Sequence, residues 1–174
     1  MDALRGLRWL QTGQAVDRLP GGSLLLLAGD PTPDECMRVT SELIDKAASA
    51  CILSPLPDPI ESRYRDLSLW CVSARAAVDY LRLAWSLHDL FVLHAWSAWK
   101  DWADQDLHLR VAEVSRKGPS VVVHTYVMGP GVIFAEGLWR PHASLIVTVD
   151  ERGCVVGRGG TEFYLEPGSA PDER

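Results

Sequence analysis

Residues 121–137 read VVVHTYVMGPGVIFAEG, two apolar runs around Gly129-Pro130-Gly131, with His124 before the turn and Glu136 after it. A histidine beside a carboxylate can act as a general base and its orienting partner, provided the two runs pair as a hairpin. Counting outward from a three-residue loop pairs Met128 with Val132, Tyr126 with Phe134, and His124 with Glu136. Direct cross-strand partners lie about 4.5–5.5 Å apart at Cβ on one face. Extending the register through turns at Pro141-His142 and Arg152-Gly153 sets Val147 beside Glu136 and Arg158 beside Val147. The preceding turn brings Val111 to His124. The row Val111–His124–Glu136–Val147–Arg158 is then a polar line beside an apolar row containing Tyr126 and Phe134. Apolar lining with a few convergent polar groups is what a small-ligand pocket needs. In such a pocket His124 is the base, Glu136 orients it, Arg158 binds a carboxylate, and Tyr126 and Phe134 contact the ligand. The competing reading is a mutually satisfied structural network with no task beyond packing.

A second group is the run from Trp85 to Trp102. On a helix, Trp85, His88, Val92, Trp99 and Trp102 share a stripe. His94 falls on another face, because six residues turn a helix by about 600°. The two histidines therefore cannot chelate one metal there, and H-E-x-x-H is absent. A tryptophan stripe is either core or a partner surface, since Trp dominates interface hot spots. Trp96, Trp99 and Trp102 are the partner-binding candidates. Asp101, Asp104, Asp106 and His108 read as a solvated acidic face. Cys71 and Arg75 lack the C-x5-R spacing of a phosphatase loop, so Cys71 reads as a buried thiol.

The stretch Leu27–Glu35 could be a strand–turn–helix that cradles phosphate, but it carries Asp30, Asp34 and Glu35 and no basic residue. Neither G-x-G-x-x-G nor G-x-x-x-x-G-K-[ST] occurs. No cofactor and no metal are expected.

The elements that must position these residues follow from periodicity. Ala3, Leu4, Leu7 and Leu10 suggest a short helix, and Ser23–Ala28 a buried strand. Thr32-Pro33-Asp34-Glu35 is a capping box that opens a helix through about Ala48. Strands are expected at Ala50–Leu53 and Leu67–Val72, then a helix capped by Ser73, with residues 86–106 open between helix and strand. From Leu107 the period changes to two. Strands at about 107–115, 120–128, 132–140, 143–151, 154–159 and 161–166, separated by turn signals, predict an antiparallel meander. The expected architecture is α+β: N-terminal helices with one or two short strands, packed on a five- to six-stranded antiparallel sheet. Residues 1–166 form the expected single domain and 167–174 a flexible tail.

Composition bounds the function. The chain of 174 residues is 47% hydrophobic and 23% charged, with a net charge of −6. An acidic chain without a basic run is poorly suited to nucleic acid. Four separated cysteines in apolar settings fit a reducing, cytoplasmic location. Arg5 and Arg8 interrupt the first apolar residues, which does not fit a signal peptide. No run is long enough to span a membrane. Acidity, abundant Trp and absent catalytic motifs point to a non-catalytic protein-binding module of inhibitor, immunity or accessory type. Its partner would be a protein with a basic surface, or a second copy. A small-molecule enzyme using His124, Glu136 and Arg158 is the alternative, and a structural subunit of a larger assembly the third.

Overall fold

Strands covered on both faces have no reason to alternate, and their sequences become continuous apolar runs. LFVL at 90–93 and VVV at 121–123 are such runs. A computed structural model describes residues 7–9, 24–28, 40–57 except 42 and 46, 62–124, 135–148 except 136 and 144, 154–155 and 163–165. Its strands are β1 (Leu7–Trp9), β2 (Leu24–Ala28), β3 (Ala50–Ser54), β4 (Ser68–Trp70), β5 (Leu90–Leu93), β6 (Ser120–His124), β7 (Leu145–Thr148), β8 (Cys154–Val155) and β9 (Phe163–Leu165). Two helices are α1 (Ala74–Ala84) and α2 (Gln105–Ser115), with 3-10 turns at Ser62–Leu67 and Trp96–Ala98. Residues 40, 41, 43–45, 135 and 137–139 are also helical.

Six strands form one sheet in the order β4-β3-β5-β6-β2-β7. Every pairing in it is parallel. The expected α+β architecture with an antiparallel meander is therefore wrong, and the fold is α/β. Antiparallel pairing is confined, among the described residues, to the short strands β1, β9 and β8. Two local misreadings produced the meander. Residues 107–115 were expected as a strand because Leu107, Leu109 and Val111 alternate, yet they form α2. Leu107, His108, Val111, Ala112, Val114 and Ser115 are buried at helical spacing, and Leu109 is exposed. Residues 132–140 were expected to return as a strand, but 135 and 137–139 are helical, as a crossover between parallel strands requires. At the N-terminus, Leu7–Trp9 is strand rather than helix.

Strand alternation gives the sheet two faces. Leu24, Leu26, Cys51, Leu53, Phe91, Leu93, Val121 and Val123 join the buried faces of α1 and α2 and Trp139 in one core cluster. The alternate residues Ile52, Val92 and Val122 are equally buried on the other face. Thr40 meets His124 on that side. Tyr64 donates to the Ser41 carbonyl at 3.3 Å, tying the first 3-10 turn to the same helix. Helices on both faces make the sheet doubly wound.

The start of α1 is fixed twice. Ser73 Oγ accepts from the Ala76 amide at 3.0 Å. The Asp101 carboxylate accepts from the Ala74 and Arg75 amides at 2.8 and 2.9 Å. These bonds satisfy donors that a helix N-terminus leaves orphaned.

Candidate functional site

Crossovers in parallel sheets are right-handed, so connections leaving in opposite directions cover opposite faces. After β2 the chain passes to β3 on one side, and after β6 to β7 on the other. β2 and β6 stay paired through Leu27↔His124, while the described helical residues that follow them, Thr40 after β2 and Trp139 after β6, lie on opposite faces of the sheet, the kind of change of side at which doubly wound sheets bind ligands. The residue that β6 delivers there is His124. The register Leu93↔Val123 brings His94, the residue just after β5, level with His124.

His94 and His124 are both buried, with ring centroids 5.6 Å apart in an edge-on arrangement. Their Nδ1 atoms are 3.4 Å apart. One must donate its N–H to the lone pair of the other, which requires at least one neutral ring. On its far side His124 Nε2 is hydrogen-bonded to Thr40 Oγ1. Burial pushes His94 down to about 4, and burial followed by the nearby His94 pushes His124 down to about 3. At neutral pH both imidazoles are uncharged. The trio is a compact buried polar network rather than an exposed acid–base pair. Immediately after His94, Ala95 adopts φ 47°, a left-handed conformation rare for a residue with a Cβ. That turn swings the chain so that Trp96 enters the opposite core.

The antiparallel pairing from which the catalytic row was counted is not that of the described sheet. His124 ends a parallel strand paired with β5 and β2, and Val111 lies in α2. Glu136, Arg158, Tyr126 and Phe134 lie outside the described residues. The partner-binding tryptophans are placed differently from expectation as well. Trp96 and Trp99 are 0% and 2% exposed. Their indole N–H groups donate to the carbonyls of Trp102 and Cys71 at 2.9 and 2.8 Å. Trp96 packs edge-on to Trp99, His108 and Trp139, and Trp102 is half-buried against the same cluster. A partner docking from solvent does not meet Trp96 or Trp99.

Two features escaped the sequence reading. One is the His94–His124–Thr40 trio, whose signal was present: LFVL and VVV each end in histidine, as two parallel strands in register would. The other is an exposed apolar rim at the edge strand β4, comprising Leu56, Leu69, Trp70 and Val72. The short SLW run carries too little pattern to mark it as the edge strand.

Among the described residues no group of three or more His, Cys, Asp or Glu side chains is placed to hold a metal. No described helix is long and apolar enough to cross a membrane. Fold and site together define a doubly wound α/β protein whose β2 exit carries three acids and no base in sequence, poor chemistry for binding a phosphate. No family model matches the chain, and no curated protein shows significant similarity to it.

Proposed function

We propose that the chain is a non-catalytic protein-binding domain of inhibitor, immunity or accessory type, taking an extended partner segment along the outer edge of β4. The observation carrying this reading is the exposure of Trp70 (58%), the last residue of the strand at the end of the sheet order, and of Val72 (76%) in the bend just beyond it. An edge strand presents N–H and C=O groups that an incoming strand can pair with. The indole N–H of Trp70 donates to the Pro55 carbonyl at 3.3 Å, so the ring is held against the Pro55 backbone before any partner arrives. A side chain ordered in advance loses less entropy on binding. The burial of His124 supports a non-catalytic role. The net charge of −6 favours encounter with a basic partner. Cys51 and Cys71 are free thiols, which suits a reducing compartment such as the cytoplasm.

The test is selection of phage-displayed peptides on the wild-type protein, followed by fluorescence polarisation against variants. Trp70→Ala should weaken selected peptides at least tenfold while leaving the circular dichroism spectrum unchanged. Equal binding to Trp70→Ala and to Val72→Asp would remove the proposal. The alternative, a small-molecule enzyme using His124, draws on one observation, the place of His124 at the C-terminal end of β6 where the chain changes sheet face. A fragment screen read at the His94 and His124 ring protons tests that alternative, and rings that no fragment shifts would dispose of it.

A further inference from the structure

At the opposite, N-terminal end of β3 and β4 lies a half-open cleft of about 450 Å³. That volume is within the range of small-ligand sites. Its walls are apolar at Ile44, Leu67 and Leu69, and its polar groups are Ser49, Ser68 and Asp66, with Cys51, Tyr80 and His88 beside them. We infer that this cleft binds a small amphipathic amine, its ammonium group on the Asp66 carboxylate and its apolar body between Leu67 and Leu69.

The choice of ligand follows from the lining. Among the described lining residues Asp66 is the one of the Asp, Glu, Lys and Arg types, so the described wall carries formal negative charge and no Lys or Arg. Ser68, in the lining, spends its hydroxyl proton on the Tyr64 carbonyl at 2.9 Å, so its oxygen is left to act as an acceptor. The polar wall is therefore rich in acceptors and calls for a donor. An anionic ligand would meet Asp66 with no Lys or Arg among the described lining residues to compensate.

The floor is rigid. Asp89 accepts from the amides of Ala48 and Ser49 at 3.0 and 2.7 Å, and the Ser49 carbonyl accepts from the Asp89 and Leu90 amides. Ser49 Oγ and His88 Nδ1 are 2.6 Å apart, a spacing that resembles a nucleophile–base pair. Hydrolysis is not the inference. The nearest backbone donors, the Ala48 and Ser49 amides, are already bonded to Asp89 and cannot stabilise an oxyanion. A preformed floor serves binding instead.

The probes are phenethylamine and phenylacetate, of similar size and opposite charge, titrated into the ¹⁵N-labelled full chain. Phenethylamine should produce saturable shifts in the amides of residues 47–51 and 67–69, and phenylacetate none. Asp66→Asn and Asp66→Ala, at an exposed position, should weaken phenethylamine at least fivefold with the rest of the spectrum unchanged. Saturable binding of phenylacetate at the same amides, absence of phenethylamine shifts, or unaltered affinity in both variants would each overturn the inference. Trp70→Ala should leave this binding intact, so its outcome is separate from that of the β4 proposal.

Discussion

Three histidines are buried in this protein, and acid should unfold it through them. Burial lowers His94 to about 4, His108 to about 4 and His124 to about 3. In the unfolded chain each returns to about 6.5. The folded values lie below the unfolded ones, so below pH 6.5 the unfolded chain takes up protons that the native state refuses. Stability is complete above pH 6.5, falls as pH descends toward 4, and stops falling once the native rings also protonate. Between pH 7.5 and 5.0 each ring costs about 2 kcal/mol. Together the three cost about 6 kcal/mol, against a total stability of about 5–15 kcal/mol for a natural domain. The assay is urea unfolding followed by tryptophan fluorescence at pH 7.5, 6.0 and 5.0, with calorimetry in buffers of different ionisation enthalpy to count protons. About three protons should be taken up per unfolding event at pH 5.0, and about two in His108→Gln. A stability change below about 2 kcal/mol, or uptake of fewer than one proton, would refute the argument that these rings are buried uncharged.

Other outcomes follow from particular contacts. Asp101→Ala should destabilise the protein by about 1–3 kcal/mol in urea, because two amides at the start of α1 lose an ionic acceptor. The Cys51 thiol is pushed up to about 11 by burial and by the nearby Cys71, against an opposing bond from Tyr80. At pH 8 it should react with a disulfide reagent far more slowly in the native protein than in urea. Phe91→Ala should cost about 3–5 kcal/mol, since its ring is fully buried between sheet and helices. Ala95→Gly should leave stability unchanged or raise it by up to about 1 kcal/mol, by relieving the left-handed backbone after His94.

Elements governed by short-range chemistry were legible in the sequence. The strand at 24–28, the strand beginning at Ala50, the strand near Leu69 and the Ser73 cap with its helix all stand where propensity and capping put them. Ser73 needs only its own hydroxyl and an amide three residues on, and that information is local. The segment 105–115 failed because LHLRV satisfies period two and the helical period over so short a window. Burial of His108 beside Leu107 and Val111 decides for helix, and that burial exists only once Trp96 and Trp139 pack against it.

The direction of each strand was not legible at all. A run such as SVVVH pairs equally well with either orientation of neighbour, and Gly129-Pro130-Gly131 marks a break without saying whether a hairpin or a crossover follows. By itself the sequence determined which segments are apolar enough to be strands, where α1 is capped, and that no phosphate-binding signature follows β2. The tertiary structure alone decided that the strands run parallel, that His124 stands beside His94 and Thr40, that Trp96 and Trp99 are core, and that Trp70 is left at the edge. The physical reason is one of range. Caps and periods are settled within a few residues, whereas strand order and burial depend on partners 30 to 84 residues away, such as His94 and Thr40 for His124.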